Sequence, residues 1–247
     1  MKPGVTRLSV LMAALSFATV VQAQETTRIT PVLSIWDVRI GQPVADIPAS
    51  AVAEIDCGTN GGPSSLSLAR FADFATCPAE PSGLHEVAFT YDDEQDYIAR
   101  ALELEYQVLR GGTSVFANPV VVSILVHPDG VARGIRIVTD DRVSARDRIN
   151  AVTLARNFKA RYSEWNLSCV DLPPRDGEQP VGNQFIHEIC TGDDPAATGM
   201  RLMIEASYLR KRGQEAMSRE TQTVNTGYFE SRTHFELVDS AFARAAP

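Results

Sequence analysis

Asp92, Glu94, Asp96 and Glu103 place carboxylates at the first, third, fifth and twelfth positions of a calcium-loop spacing. Such a loop wraps a hard cation only if it turns sharply at its sixth position, where this chain has Tyr97 instead of glycine. The same residues read more simply as a helix start, where acidic side chains suit the positive end of the helix dipole. These four are the metal candidates, and the spacing does not assign them a metal.

Four histidines, His85, His127, His187 and His234, are the other candidate acid–base or metal groups. None stands at a close ligand spacing with another histidine or with a cysteine pair. His187 and Glu188 are adjacent, so in a strand they point to opposite faces. The chain has neither the G-x-S-x-G nor the S-x-x-K pattern that presents a nucleophilic serine, and no C-x-x-C-H haem attachment. No catalytic residue and no cofactor are assigned.

Cys57 sits in AEIDCGTNGGPSSL, beside Gly58, Gly61 and Gly62. A phosphate loop would continue with Lys and then Ser or Thr, and here Pro63 and Ser64 follow. A catalytic thiolate would need a neighbouring base and a reducing compartment. The leader argues against that compartment. Lys2 and Arg7 precede the apolar run Leu8 to Val21, and Val21-Gln22-Ala23 supplies small residues for cleavage before Gln24. Residues 1–23 therefore read as a signal peptide, and the processed chain as a soluble, exported (periplasmic or secreted) protein with no transmembrane segment.

In an oxidising compartment the four cysteines, Cys57, Cys77, Cys169 and Cys190, form two disulfides. Three connectivities are open. Cys57–Cys77 and Cys169–Cys190 are preferred because each closes a local loop of nearly equal length.

Charge excludes one class of partner. Removing Lys2 and Arg7 takes the 23 basic side chains to 21, against 31 acidic ones. An acidic chain of this kind is not a nucleic-acid binder. Within it, Arg142, Arg146, Arg148, Arg156, Lys159 and Arg161 cluster on one helix and its approach. Arg148, Arg156 and Lys159 are the candidates for docking an anionic partner. The competing reading pairs these residues with acidic neighbours in the same molecule.

The elements that must position these residues follow from periodicity. Gly83 to Tyr91 alternates as a strand, and Asp93 to Arg110 reads as a helix stopped by Gly111-Gly112. Val120 to Val126 and Val131 to Thr139 form a hairpin about His127-Pro128-Asp129-Gly130. A second helix opens at Ser144 and buries Ala151, Leu154, Ala155, Phe158 and Tyr162. Asn183 to Cys190, Met200 to Arg210 and Thr226 to Val238 read as strands.

The expected fold is α+β: an antiparallel sheet with two packed helices in the central part, a β-rich C-terminal third, and two disulfide staples. Residues 24–164 form one unit carrying the Cys57–Cys77 loop, and residues 165–247 a β-rich lobe carrying the Cys169–Cys190 loop. The functional expectation is a non-enzymatic exported protein that binds another protein or a small ligand. The alternative is an exported hydrolase whose acidic and histidine residues converge only in the fold.

Overall fold

The computed structural model describes residues 33–91, 113–116, 118–140, 142, 151–211, 216–217, 224–225 and 229–244. The expected helix Asp93 to Arg110 lies outside them, as do the first residues of the helix expected from Ser144.

Among the described residues the strands are, in chain order, β1 (Glu54–Cys57), β2 (His85–Thr90), β3 (Ser114–Val115), β4 (Asn118–Val126), β5 (Ala132–Thr139) and β6 (Ser168–Asp171). Then come β7 (Glu178–Gln179), β8 (Ile186–Asp193), β9 (Met200–Lys211), β10 (Ala216–Met217), β11 (Val224–Asn225) and β12 (Glu230–Asp239). One α-helix is described, α1 (Thr153–Arg161). Ten strands build one antiparallel sheet with the path β1-β2-β4-β5-β12-β9-β8-β6. β3 joins β4 and β7 joins β9, while β10 and β11 form a separate pair. The described residues are therefore mostly sheet, with α1 packed on one face.

The hairpin lies where the sequence places it. Gly130 takes a positive φ of 82°, and its N–H donates to the His127 carbonyl at 2.8 Å. Residues 24–164 and 165–247 each supply four neighbouring strands of the sheet path, and the two sets join where β12 pairs with β5. One sheet thus runs through both segments.

Its two faces differ. On the helix face, Val87, Val122, Ile124, Ile137, Leu202, Ile204 and Phe235 form the core. Helix α1 lays Leu154, Ala155 and Phe158 onto it, with Phe158 stacked on Phe235 at 4.3 Å between centroids. Ile35, Val44, Phe71 and Phe74, from 3-10 turns, cover the rest of this face. Burying each such side chain contributes about 1.5–3 kcal/mol relative to exposure. The opposite face carries a small apolar cluster of Leu84, Leu125 and Val238, capped by Phe242 and Ala243. Beside that cluster, polar side chains are buried.

Both disulfides have the expected local partners. Cys57–Cys77 spans 20 positions and Cys169–Cys190 spans 21. Cys57, expected in a turn-rich loop, is the last residue of β1. Cys169 lies on β6, a strand that the sequence pattern does not reveal.

Candidate functional site

The opposite face is organised around Arg136, whose register on β5 sets it directly across from Glu236 on β12 and Ser123 on β4. The guanidinium is 1% exposed. Its Nε donates to Glu236 Oε2 at 3.0 Å, and Nη1 donates to Glu86 Oε2 at 2.8 Å. Nη2 donates to Glu80 Oε2 at 3.0 Å. Three carboxyl groups thus converge on one arginine, the arrangement that makes a buried charge tolerable.

Burial works to lower the Arg136 pKa, and the surrounding glutamates outweigh it, holding the side chain charged. Burial would likewise raise Glu236, but the adjacent His234 ring and the Arg136 charge hold its pKa down at about 2. His234 goes the other way. Burial pushes its pKa below the ordinary value, helped by Arg136 and Arg244 and opposed by Glu236. Its Nε2 stands 3.6 Å from Glu236 Oε2, too far for a hydrogen bond.

The glycine-rich stretch after Cys57 closes over this cluster. Asn60 donates its backbone N–H to Glu86 Oε2 at 2.6 Å, and its carbonyl accepts from Arg232 Nη2 at 2.6 Å. A Cβ at Gly58 would stand 2.3 Å from Glu86 Cγ. Close approach to a buried glutamate explains that glycine.

Past Glu236 the same face opens into a shallow cleft. Ile189, Met203 and Val238 line it with apolar surface, while Thr191, Arg201, Arg244 and the Arg136-paired Glu236 supply its polar groups. Its interior, about 10 Å³, takes one water-sized group. Neither Arg201 nor Arg244 has an ion-pair or hydrogen-bond partner among the described residues. Asp193, the cross-strand neighbour of Arg201, does not reach it.

The histidines are dispersed. His85 Nδ1 lies 2.7 Å from the Cys77 carbonyl oxygen, and His127 sits in the hairpin turn beside Asp129. His187, 4% exposed, has Nε2 3.2 Å from Glu205 Oε1 and Nδ1 3.8 Å from Glu178 Oε2. Ser207 stands directly opposite His187 in the β8–β9 register, but its hydroxyl donates to Glu230 Oε1 at 3.1 Å. Its proton is therefore directed away from the imidazole that a nucleophilic serine would need.

The expected opposition of His187 and Glu188 holds. Glu188 projects to the helix face, where Lys159 Nζ contacts both its carboxylate oxygens at 2.7 Å. Lys159 is thus paired inside the molecule, Arg156 is exposed on α1, and Arg148 lies outside the described residues. Asp92, Glu94, Asp96 and Glu103 lie outside them as well. Among the described residues, Cys169, Glu188 and Cys190 form the group whose potential ligand atoms lie within 4.8 Å of one another. Their sulfurs are bonded together, so no thiolate is offered to a metal.

The sequence reasoning missed the Arg136 cluster and the Arg201–Arg244 cleft. A usable signal was present for the first. Glu86 in LHEVAF, Arg136 in GIRIVT and Glu236 in HFELV are charges set within apolar strands. In a sheet covered on both faces, such charges must find each other. Comparison with family models, curated proteins and solved structures finds no match to this chain.

Proposed function

We propose that this chain is an exported interaction protein, trimmed before Gln24, that engages an acidic partner segment at the Arg201–Arg244 cleft. The observation that carries the reading is two guanidinium groups that flank apolar surface and have no partner among the described residues. An exposed carboxylate seated between them gains charge-assisted hydrogen bonds, and its apolar neighbours cover Ile189 and Met203. The small interior suits a partner that inserts one side chain and spreads over the rim, rather than an enclosed small molecule. The two disulfides accord with a non-cytoplasmic compartment. Among the described residues, no helix is long and apolar enough to cross a membrane.

The test is titration of the full processed chain with a Glu- and Leu-containing peptide at low and raised salt. Binding should weaken with salt and be lost in the Arg201→Glu/Arg244→Glu double variant. It should persist in Arg156→Glu, which separates the cleft from the basic face of α1. Equal binding by all three proteins would remove the cleft from the account. N-terminal sequencing of the exported product, expected to begin at Gln24, tests the leader.

Hydrolysis is the second reading, favoured by the buried His187 and its nearby carboxylates. Ser207 weighs against a serine nucleophile there, because its hydroxyl is committed to Glu230.

A further inference from the structure

The two disulfides close loops of nearly the same length, yet they occupy different surroundings. Cys57 is 0% exposed and Cys77 3%, both within the helix-face core. Cys190 is also buried, at 1%. Its partner Cys169 lies on β6, whose four residues are all exposed. One sulfur of that bridge thus belongs to a strand open to solvent, and the other belongs to the core.

Register adds a second observation. Cys169 and Cys190 are directly opposite in the β6–β8 ladder. Leu172 donates its N–H to the His187 carbonyl at 2.7 Å, which makes that pair a hydrogen-bonded one. Alternation along an antiparallel ladder makes Val170–Ile189 hydrogen-bonded and Cys169–Cys190 non-hydrogen-bonded. The hydrogen-bonded pairs on either side therefore keep the two side chains adjacent without the S–S bond.

A third observation concerns the buried sulfur. Glu188 Oε1 lies 3.5 Å from Cys190 Sγ, with the carboxylate fixed by Lys159. A Cys190 thiol would find an acceptor already in place. Among the described residues, no side-chain acceptor stands beside Cys57 or Cys77 in that way.

We propose that Cys169–Cys190 is an exchangeable disulfide that accepts two electrons from an external dithiol, while Cys57–Cys77 is purely structural. The thiolate of the dithiol attacks the sulfur of the exposed residue Cys169. A new S–S bond forms to Cys169, the Cys169–Cys190 bond breaks, and its electron pair leaves on Cys190. Cys190 takes a proton from solvent and turns its S–H to Glu188. The second thiol of the reductant, deprotonated, then attacks its own bonded sulfur and releases Cys169 as a thiolate, which solvent protonates. The dithiol leaves as a disulfide, and the protein holds two thiols.

The folded, processed chain is treated with graded dithiothreitol, quenched in acid, unfolded and alkylated, and the labelled peptides are quantified by mass spectrometry. Circular dichroism is recorded at each step. Cys169 and Cys190 should become labelled at about tenfold lower reductant than Cys57 and Cys77, because access limits exchange. The spectrum should stay native, and removing the reductant should restore the bridge. Opening of both bridges together, opening of Cys57–Cys77 first, or labelling of Cys169 only as the fold is lost would each overturn the proposal.

Discussion

The sheet ends in two strands of equal length, β1 and β6, and each carries one cysteine of a local disulfide. One end is sealed. Residues 65–68 run along the outside of β1, where Cys57 donates to the Leu66 carbonyl at 2.7 Å and Leu68 to the Ile55 carbonyl at 2.8 Å. The other end is open. All four residues of β6 are exposed, Val170 at 56%, and alternation turns the backbone groups of Cys169 and Asp171 outward. An open edge invites pairing with other chains. Here the strand is short, carries Asp171, and runs into Pro173-Pro174, which cannot donate to a ladder. The lesson is that similar local chemistry, a cysteine on a four-residue edge strand, produces a closed end and an accessible one. What runs alongside the strand decides between them.

The largest effect should come from the buried arginine. Arg136→Met leaves Glu80, Glu86 and Glu236 facing one another and should cost about 3–5 kcal/mol in urea unfolding. Arg201→Met, on the open side of the same face and with no partner among the described residues, should stay within about 0.5 kcal/mol. Similar costs for the two would erase the distinction between holding and engaging residues.

The disulfides sharpen the comparison further. Equal loops give each bridge a similar chain-entropy contribution, about 3 kcal/mol. The Cys57→Ala/Cys77→Ala variant also leaves core volume unfilled, and should be less stable than Cys169→Ala/Cys190→Ala by about 1 kcal/mol or more. Paired denaturation curves measure this, and the reverse order would show that the open end is the better packed.

Acid should act on the cluster in a graded way. His234 is held neutral in the fold, so the stability tied to it is complete above its ordinary value of 6.5 and declines as pH falls below that. Glu236 has a folded pKa of about 2 against an ordinary 4.5, so its contribution is present above 4.5 and lost as pH falls toward 2. The Glu236 share is at most about 3 kcal/mol. Urea midpoints across this range should decline in the parent, and the decline below 4.5 should be smaller in Glu236→Gln. An unchanged slope in that variant would place the acid sensitivity elsewhere.

Much of the central fold is readable along the chain. The run VVVSILV with its H-P-D-G turn specifies the hairpin, and Leu154, Ala155 and Phe158 specify the buried side of α1. Local cysteine spacing anticipates both bridges. β1 and β6 escape because four residues are too few to display a period, and β6 buries nothing that would impose one. The Arg136 cluster escapes for another reason. Its members lie on β2, β5 and β12 and before β2, and only the sheet order brings them together. Arg201 and Arg244 look like ordinary surface charges until the fold shows that neither has a partner among the described residues.

Hydrogen exchange read at the two edge strands tests most directly whether one end of the sheet is closed and the other accessible. In the native oxidised protein, the amide of Cys57 should exchange at least about 100-fold more slowly than those of Cys169 and Asp171. Equal protection at the two edges would mean that β6 is covered as β1 is, and would contradict the account.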